Sequence, residues 1–397
     1  MACPRVHDAI VIGGGYFGIR VAEYLVTRGG LHDVVLIEAE AELMSRASLR
    51  NQGRVHGGYH YTRSWTTAMG SRINLPRFVD EYRECLREPV TSIYAVSRRN
   101  SKINGAQFQR FCQRIGAPAA PAPESVVRLF EPQMVDGVFV VEEPVLDVDR
   151  FAEVCRDIIA KLGIAVYLRT RVVDLRENAS GWVELSTEGA LESRSFAARR
   201  VYQCTYSGLG ALRQGRSPGR FLKHELAELA VVHAPAELQG MAITVVDGSF
   251  FSLLPHGSGD EHSLSHVRYT PGKAWGHQPN VDPYAQLVAA EPASRFDHMV
   301  RAGSRYLPAL SRCNYLRSIF EIKTVLAGNE SDDGRPILYL PDTPVRGCTS
   351  ILGGKLDNVY DVLARLAEHS ATSLDPPTSA SEAVGPAGVA EREGEPE

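Results

Sequence analysis

Between Ala47 and Tyr61 the chain reads ASLRNQGRVHGGYHY, and most of its residue types can donate, accept or make room. Two histidines, two tyrosines and three glycines fall within these fifteen residues. The stretch is too polar and too glycine-rich for a core element. Imidazole is poised near neutral pH and can take or give a proton. Small residues let a backbone lie directly against a ligand. A second glycine cluster lies upstream. Gly13-Gly14-Gly15-Tyr16-Phe17-Gly18 fits GxGxxG, with Gly13, Gly15 and Gly18 at the defining positions. Glu38 follows twenty residues on. Glycines there allow a tight turn and close approach to a pyrophosphate, which then faces a helix N-terminus, and the Glu38 carboxylate can accept from a ribose hydroxyl. The chemistry indicated is dinucleotide binding. The motif alone does not separate NAD from FAD, because both carry adenosine diphosphate.

The elements that must position these groups follow from periodicity. Residues 8–14, DAIVIGG, read as a buried strand, 16–27 as a helix with apolar residues at three- and four-residue spacing, and 34–37 as a second buried strand ending at Glu38. A mixed helical region runs to about Gly116, and a Pro/Ala surface loop to Glu124. The clearest helix is 149–163, with Phe151, Val154, Cys155, Ile158, Ile159 and Leu162 on one face, Asp149 as cap and Gly163 as stop. The runs IAVYL, RVVDL, WVELS and RRVYQCTYSG read as alternating strands. From Lys223 to His266 the pattern turns to hairpins of period two. Helices follow at about 283–290 and 295–310, then the strand RSIFEIKTVLAG and a last helix over 358–370. From about Thr372 the chain is Pro, Ser, Ala, Gly and Glu, and reads as a disordered tail, 372–397.

A length of 397 residues is enough for two domains, or one large domain with an insertion, and 44% hydrophobic and 23% charged residues are the composition of a soluble globular protein. A net charge of -4 gives no electrostatic footprint for nucleic acid or an anionic membrane. No apolar run is long enough to span a bilayer, and the N-terminus has no separate signal segment, so a cytoplasmic protein is expected. Seven widely spaced cysteines without a CxxC argue for buried thiols. His256, His262 and His266 are spread across a Gly/Asp loop, and no metal is expected.

The chain resembles the D-amino-acid-oxidase (DAO) superfamily of FAD-dependent oxidoreductases over about residues 8 to 370. ASLRNQGRVHGGYHY is similar to that family's second FAD segment, closest to the 2-hydroxyglutarate oxidase type through Asn51, Gly53, His56 and Gly58. DDGRPILY followed by SILGGKLDNVYD resembles the third, in which Gly353, Gly354 and Lys355 match a turn around the flavin ring. The resemblance implies that Ser48 and Asn51 bond phosphate or ribityl oxygens, that His56, Tyr59 and Tyr61 face ring or substrate, and that Val172, or failing it Val173, touches adenine. Tyr206 stands where relatives have glycine, a departure from the pattern. Relatives bind a substrate carboxylate with an arginine from the substrate sheet. Arg268, expected beside His266 on one strand face, fits that role. Lys323 interrupts an apolar strand, either at an edge or aimed at the pocket.

The expectation is an α/β protein with a Rossmann-like FAD domain and an antiparallel-sheet (α+β) substrate domain. The FAD domain is discontinuous, 1–80, 145–215 and 325–371, and the substrate domain takes 81–144 and 216–324. The function expected is FAD-dependent oxidation of the CH–NH carbon of an amino acid or amine. The alternative is a 2-hydroxy acid, with His56 accepting the hydroxyl proton. Oxygen or another acceptor would reoxidise the cofactor. Outside this class stand an NAD(P)-dependent dehydrogenase, against which the turn at Leu352 to Lys355 argues, and a binding protein without turnover.

Overall fold

Val34 to Ile37 are all buried, as befits a strand covered on both faces. They form β2 (Val34–Ile37), which pairs in parallel with β1 (Val6–Ile12) through the crossover helix α1 (Tyr16–Thr27). The computed structural model describes residues 5–189, 195–212, 222–248, 250–257, 259–278, 281–327 and 334–372. The expected tail lies outside these residues, apart from Thr372, which ends a helix.

The chain continues through α2 (Trp65–Glu81), β3 (Thr91–Ser97), α3 (Gly105–Arg114), β4 (Ala119–Pro121), α4 (Glu124–Val127), β5 (Val135–Val141) and α5 (Val148–Leu162). Next come β6 (Ala165–Tyr167), β7 (Thr170–Glu177), β8 (Val183–Gly189) and β9 (Ser195–Gln203). Then follow β10 (Leu222–His233), β11 (Met241–Val246), β12 (Phe251–Pro255), β13 (Glu261–His266) and β14 (Pro271–Gly276). The chain closes with α6 (Pro283–Ala290), α7 (Phe296–Gly303), β15 (Asn314–Leu326), β16 (Leu338–Leu340), β17 (Cys348–Leu352) and α8 (Asn358–Thr372).

The strands build two sheets. The first has the order β16-β17-β9-β1-β2-β6, with the β7–β8 hairpin attached to β9 through β8. Its central strands are parallel. Alternation along β1 assigns its two faces. Ala9 and Val11 pack with residues of α1, α5 and α8, whereas Ile10 and Ile12 pack against Leu175, Val183 and Leu185 of the hairpin. The second sheet runs β14-β10-β13-β12-β11-β3-β5-β4, with β15 also paired to β10. One of its faces is covered by Met299 of α7 and by Leu307 and Leu310 beyond it. Ile12, Ile37, Gln203 and Leu352, at the carboxyl ends of four first-sheet strands, line a cavity that the second sheet also borders.

Several sequence expectations are corrected. The first strand ends at Ile12, because Gly13 already turns the chain at φ +104°. Helix α5 is capped by Asp147, whose Oδ1 accepts from the N–H groups of Asp149 and Arg150, and not by Asp149. The region read as helical holds strand β3, and the Pro/Ala loop carries β4. The hairpin strand read through Thr270 stops at His266, where the N–H groups of Tyr269 and Thr270 return to the His266 carbonyl. Cys85, Cys112, Cys155, Cys204, Cys313 and Cys348 are free and buried, and Cys3 lies outside the described residues.

Candidate functional site

The glycine turn after β1 has no room for side chains. A Cβ on Gly13 would sit 2.6 Å from the Cys204 carbonyl oxygen, and one on Gly18 would sit 1.8 Å from the Gly13 carbonyl oxygen. Gly15 is the N-cap of α1 and brings no capping side chain. Ser48 reaches this terminus instead, its Oγ accepting from the Tyr16 N–H at 2.9 Å. The Glu38 carboxylate accepts from the N–H groups of Gly14 and Glu40, and burial pushes its pKa up. Replacing Gly18 with alanine is expected to push α1 off the turn. Overpacking of this kind costs about 1–3 kcal/mol. A lowered melting temperature and loss of bound dinucleotide after purification would register both consequences.

A cavity of about 760 Å³ runs from this turn to the second sheet, within the usual range for ligand pockets. Its wall includes Gly13, Gly15, Glu38, Ser48, Asn51, His56, Tyr61, Val172, Lys323, Gly353, Gly354 and Lys355. Gly18 lies one turn behind, holding α1 against Gly13. Gly353 is a cradle of the same kind as Gly13, since a Cβ there would meet the Phe17 ring at 2.3 Å.

Other expectations fail on geometry. Gly53 is not on the cavity wall. At φ +68° it packs against the Leu146 carbonyl, where a Cβ would come within 2.6 Å. Tyr59 also turns away, its ring buried beside Tyr94 and its hydroxyl donating to the Pro118 carbonyl at 2.7 Å. Arg268 lies exposed in the turn after β13, off the cavity wall, its guanidinium 5.9 Å from the Tyr269 ring.

Three further side chains line the cavity but are already engaged. The Asn51 amide donates to the Ala47 and Ser48 carbonyls and accepts from the Gly53 N–H, so it shapes the loop. Lys355 is 7% exposed, its Nζ held by Ser71 Oγ at 2.6 Å and Asp357 Oδ2 at 3.0 Å. Lys323 stands opposite Glu225 in the β10–β15 register, 3.9 Å from its carboxylate, on the exposed side of the strand.

Tyr206 takes φ +49°, the left-handed conformation in which a glycine is usual. Its hydroxyl accepts from the Thr324 N–H at 3.0 Å, an anchor that holds the ring at the cavity wall.

The polar end of the cavity gathers His56, His60 and Tyr61. The His56 ring centroid is 5.3 Å from that of His60 and 5.0 Å from that of Tyr61. Burial lowers both imidazole pKa values well below the ordinary range, and the nearby cationic groups add to the effect. Nδ1 of each histidine is buried without a hydrogen-bond partner. Burial likewise raises the Tyr61 pKa, with Asp357 adding to it, so the phenol stays protonated.

Below the histidines sits a buried ion pair. Arg54 Nη1 meets Glu143 Oε2 at 2.6 Å and the Tyr94 hydroxyl at 2.8 Å. Its Nη2 donates to Thr244 Oγ1 at 2.7 Å and Ser252 Oγ at 2.9 Å. The other Glu143 oxygen accepts from the Gly57 N–H at 3.1 Å and lies 3.8 Å from His56 Nδ1. Sequence reasoning passed over His60, Arg54, Glu143 and the wall residue Arg335. Two of these sit inside ASLRNQGRVHGGYHY. Nothing in VEEPVLDV marks Glu143. Among the described residues no group of three or more His, Cys, Asp or Glu is placed to hold a metal. Among them also, no helix is long and apolar enough to cross a membrane.

Comparison with known proteins agrees with this geometry. A relative from Fusarium mangiferae, the FAD-dependent monooxygenase FPY4, is 25% identical over 381 residues, covering 90% of this chain and 89% of the relative. The FAD-dependent monooxygenase kojA of Aspergillus flavus is 27% identical over 168 residues, 41% of this chain and 38% of the relative. Among solved structures, glycine oxidase from Geobacillus kaustophilus superposes with a TM-score of 0.67 at 17% identity, covering 96% of this chain and 99% of that one. L-α-glycerophosphate oxidase from Mycoplasma pneumoniae, with FAD bound, gives a TM-score of 0.68 at 14% identity, with 92% and 94% covered. The FAD-dependent oxidoreductase (DAO) family profile matches residues 8–353, from β1 through the Gly353 cradle, and the chain belongs to that family of FAD-dependent oxidoreductases.

Proposed function

We propose that the protein oxidises a CH–OH carbon of a small polar molecule, with His56 accepting the hydroxyl proton. The observation that carries this reading is the pair of imidazoles on the cavity wall, kept neutral by burial, with His56 Nδ1 buried toward Glu143 so that Nε2 is the nitrogen left to face a substrate. An alcohol loses hydride readily only if its O–H proton leaves too, so it needs a base within reach. A neutral amine needs none, because its own lone pair stabilises the cation left behind. FAD supplies the hydride acceptor. Glu143, 3.8 Å from His56 Nδ1, would stabilise the imidazolium that forms. Arg335 lines the cavity and its charge reaches His56, His60 and Tyr61, so we assign it the anion-binding role expected of Arg268.

Around the cofactor, Glu38 is assigned to the ribose, Ser48 and the turn at Gly13 to Gly15 to the pyrophosphate, Val172 to adenine, and Gly353 and Gly354 to the ring. With Nζ held by Asp357, Lys355 would act as part of a neutral pair. The division at 1–80, 145–215 and 325–371 is supported by sheet membership. Every strand of the first sheet falls in those stretches, and the second sheet crosses them only at the end of β15. Oxygen is proposed as the final acceptor, in keeping with the monooxygenase and oxidase names of the similar proteins.

A second reading, oxidation of a CH–NH carbon, draws on the fold shared with glycine oxidase. Product analysis separates the two. Paired donors that differ only in OH against NH2 are incubated with the holoenzyme in air. Carbonyl product from the hydroxyl member, with no ammonia from the amine, supports the proposal. Ammonia release from the amine alone overturns it.

A further inference from the structure

Helix α6 is anchored at the cavity by three segments joined to the first sheet. Its N-cap residue Asp282 pairs with Arg171 on β7 at 2.9 Å, one residue from Val172. The Tyr284 ring lies under the guanidinium of Arg46, 3.9 Å from ring centroid to Cζ. Helix α6 also packs against the Tyr206–Gly210 turn just beyond β9. All three segments border one end of the cavity, and Tyr284 is itself part of the wall. In the chain, however, α6 belongs to the second-sheet stretch, between β14 and β15.

Arg46 occupies a telling place. It lies between Glu38 and Ser48 in the loop after β2. Its side chain is largely buried at 22% exposure, and Nε has no hydrogen-bond partner. Two carboxylates approach it, Glu40 at 3.5 Å and Glu321 at 3.8 Å, both at the long end for an ion pair. A guanidinium in this state retains donors for a phosphate oxygen. Stacking on Tyr284 holds its plane still.

We propose that α6 is a strap over the adenosine-diphosphate half of FAD, in which Arg46, stacked on Tyr284, donates to the pyrophosphate and the Arg171–Asp282 pair keeps the strap shut. The proposal rests on the assignment of Glu38, Ser48 and Val172 to that half of the cofactor. FAD leaves only when α6 swings away from Arg46 and Arg171.

The test follows FAD release from holoenzyme by the rise in flavin fluorescence on dilution. Tyr284→Ala and Arg46→Met are each expected to speed release about tenfold, equivalent to about 1.4 kcal/mol. The double variant should fall short of the product of the two singles, because both remove the stacking contact. Tyr284→Phe keeps the ring and should release FAD at the wild-type rate. The visible spectrum of the still-loaded protein should be unchanged, since the ring end is untouched. Glu38→Ala serves as the control for cofactor placement. If it speeds release while Tyr284→Ala and Arg46→Met do not, the strap is wrong and the placement stands. If none of the three speeds release, the placement fails and the strap with it.

Discussion

Replacing Glu143 with alanine will destabilise the fold by about 3–5 kcal/mol, the usual cost of breaking a buried ion pair from one side. The side chains of Arg54 and Glu143 are only 7% and 2% exposed. Removing the carboxylate strands a guanidinium among Tyr94, Thr244 and Ser252, whose hydroxyls can accept but carry no charge. It also frees the Gly57 N–H inside the loop that carries His56. Glu143→Gln keeps an acceptor but not the charge, and should recover part of the loss. The double replacement Arg54→Met with Glu143→Leu should be far less costly than the sum of its singles, because no charge is left buried. Denaturant midpoints for wild type, the two Glu143 variants, the double variant and its two singles give the answer. A Glu143→Ala variant as stable as wild type would mean that the pair is not buried as described.

Replacing His56 with alanine will slow anaerobic FAD reduction by a CH–OH donor by about 10²–10⁴-fold, the contribution of a positioned general base. Affinity for FAD should change little, because the cofactor's proposed backbone contacts lie at the turn from Gly13 and at Gly353. The pH dependence has a definite sign. Burial first, then His60 and nearby cations, lower the His56 pKa. The neutral, active form therefore persists through neutral pH and is lost only as pH falls below the ordinary imidazole value of about 6.5. Wild-type rates should be flat near pH 7 and decline on the acid side. Stability runs the same way. Unfolded imidazoles take up protons near pH 6.5 that buried His56 and His60 do not, so the folded state weakens as pH falls below that value. A rate that instead rises on acidification would assign the proton acceptor elsewhere.

The parts of the fold legible in the sequence were those with local signals. β1, α1 and β2 announce themselves through continuous apolar runs, helical spacing and the glycine turn. α5 shows its apolar face and its Gly163 stop in the left-handed region. β3 and β17 gave no such sign. TSIYAVS and CTSIL owe their conformation to partners far along the chain.

The site divides along the same line. The small residues Gly13, Gly15 and Gly353 of the cavity wall were readable, because sterics dictates them locally. Glu143 was not, because its meaning comes from Arg54, 89 positions away. Arg268 was misread because alternation in HSLSHVRYT continues past the true strand end. There Thr270 folds back, its hydroxyl accepting from the His266 N–H at 2.9 Å. Tyr59 was misread for a different reason. Its neighbours in sequence face the cavity, but the positive φ of Gly58, +96°, swings the next side chain into the core behind β3.

The most direct measurement is the anaerobic absorbance spectrum of the holoenzyme, titrated in parallel with 2-hydroxy acids, polyols and the matching amino acids and amines. The account predicts that a CH–OH donor bleaches the FAD band and that its nitrogen counterpart does not. Bleaching by the amine and not by the alcohol would contradict it, and would leave His56 without the role proposed for it.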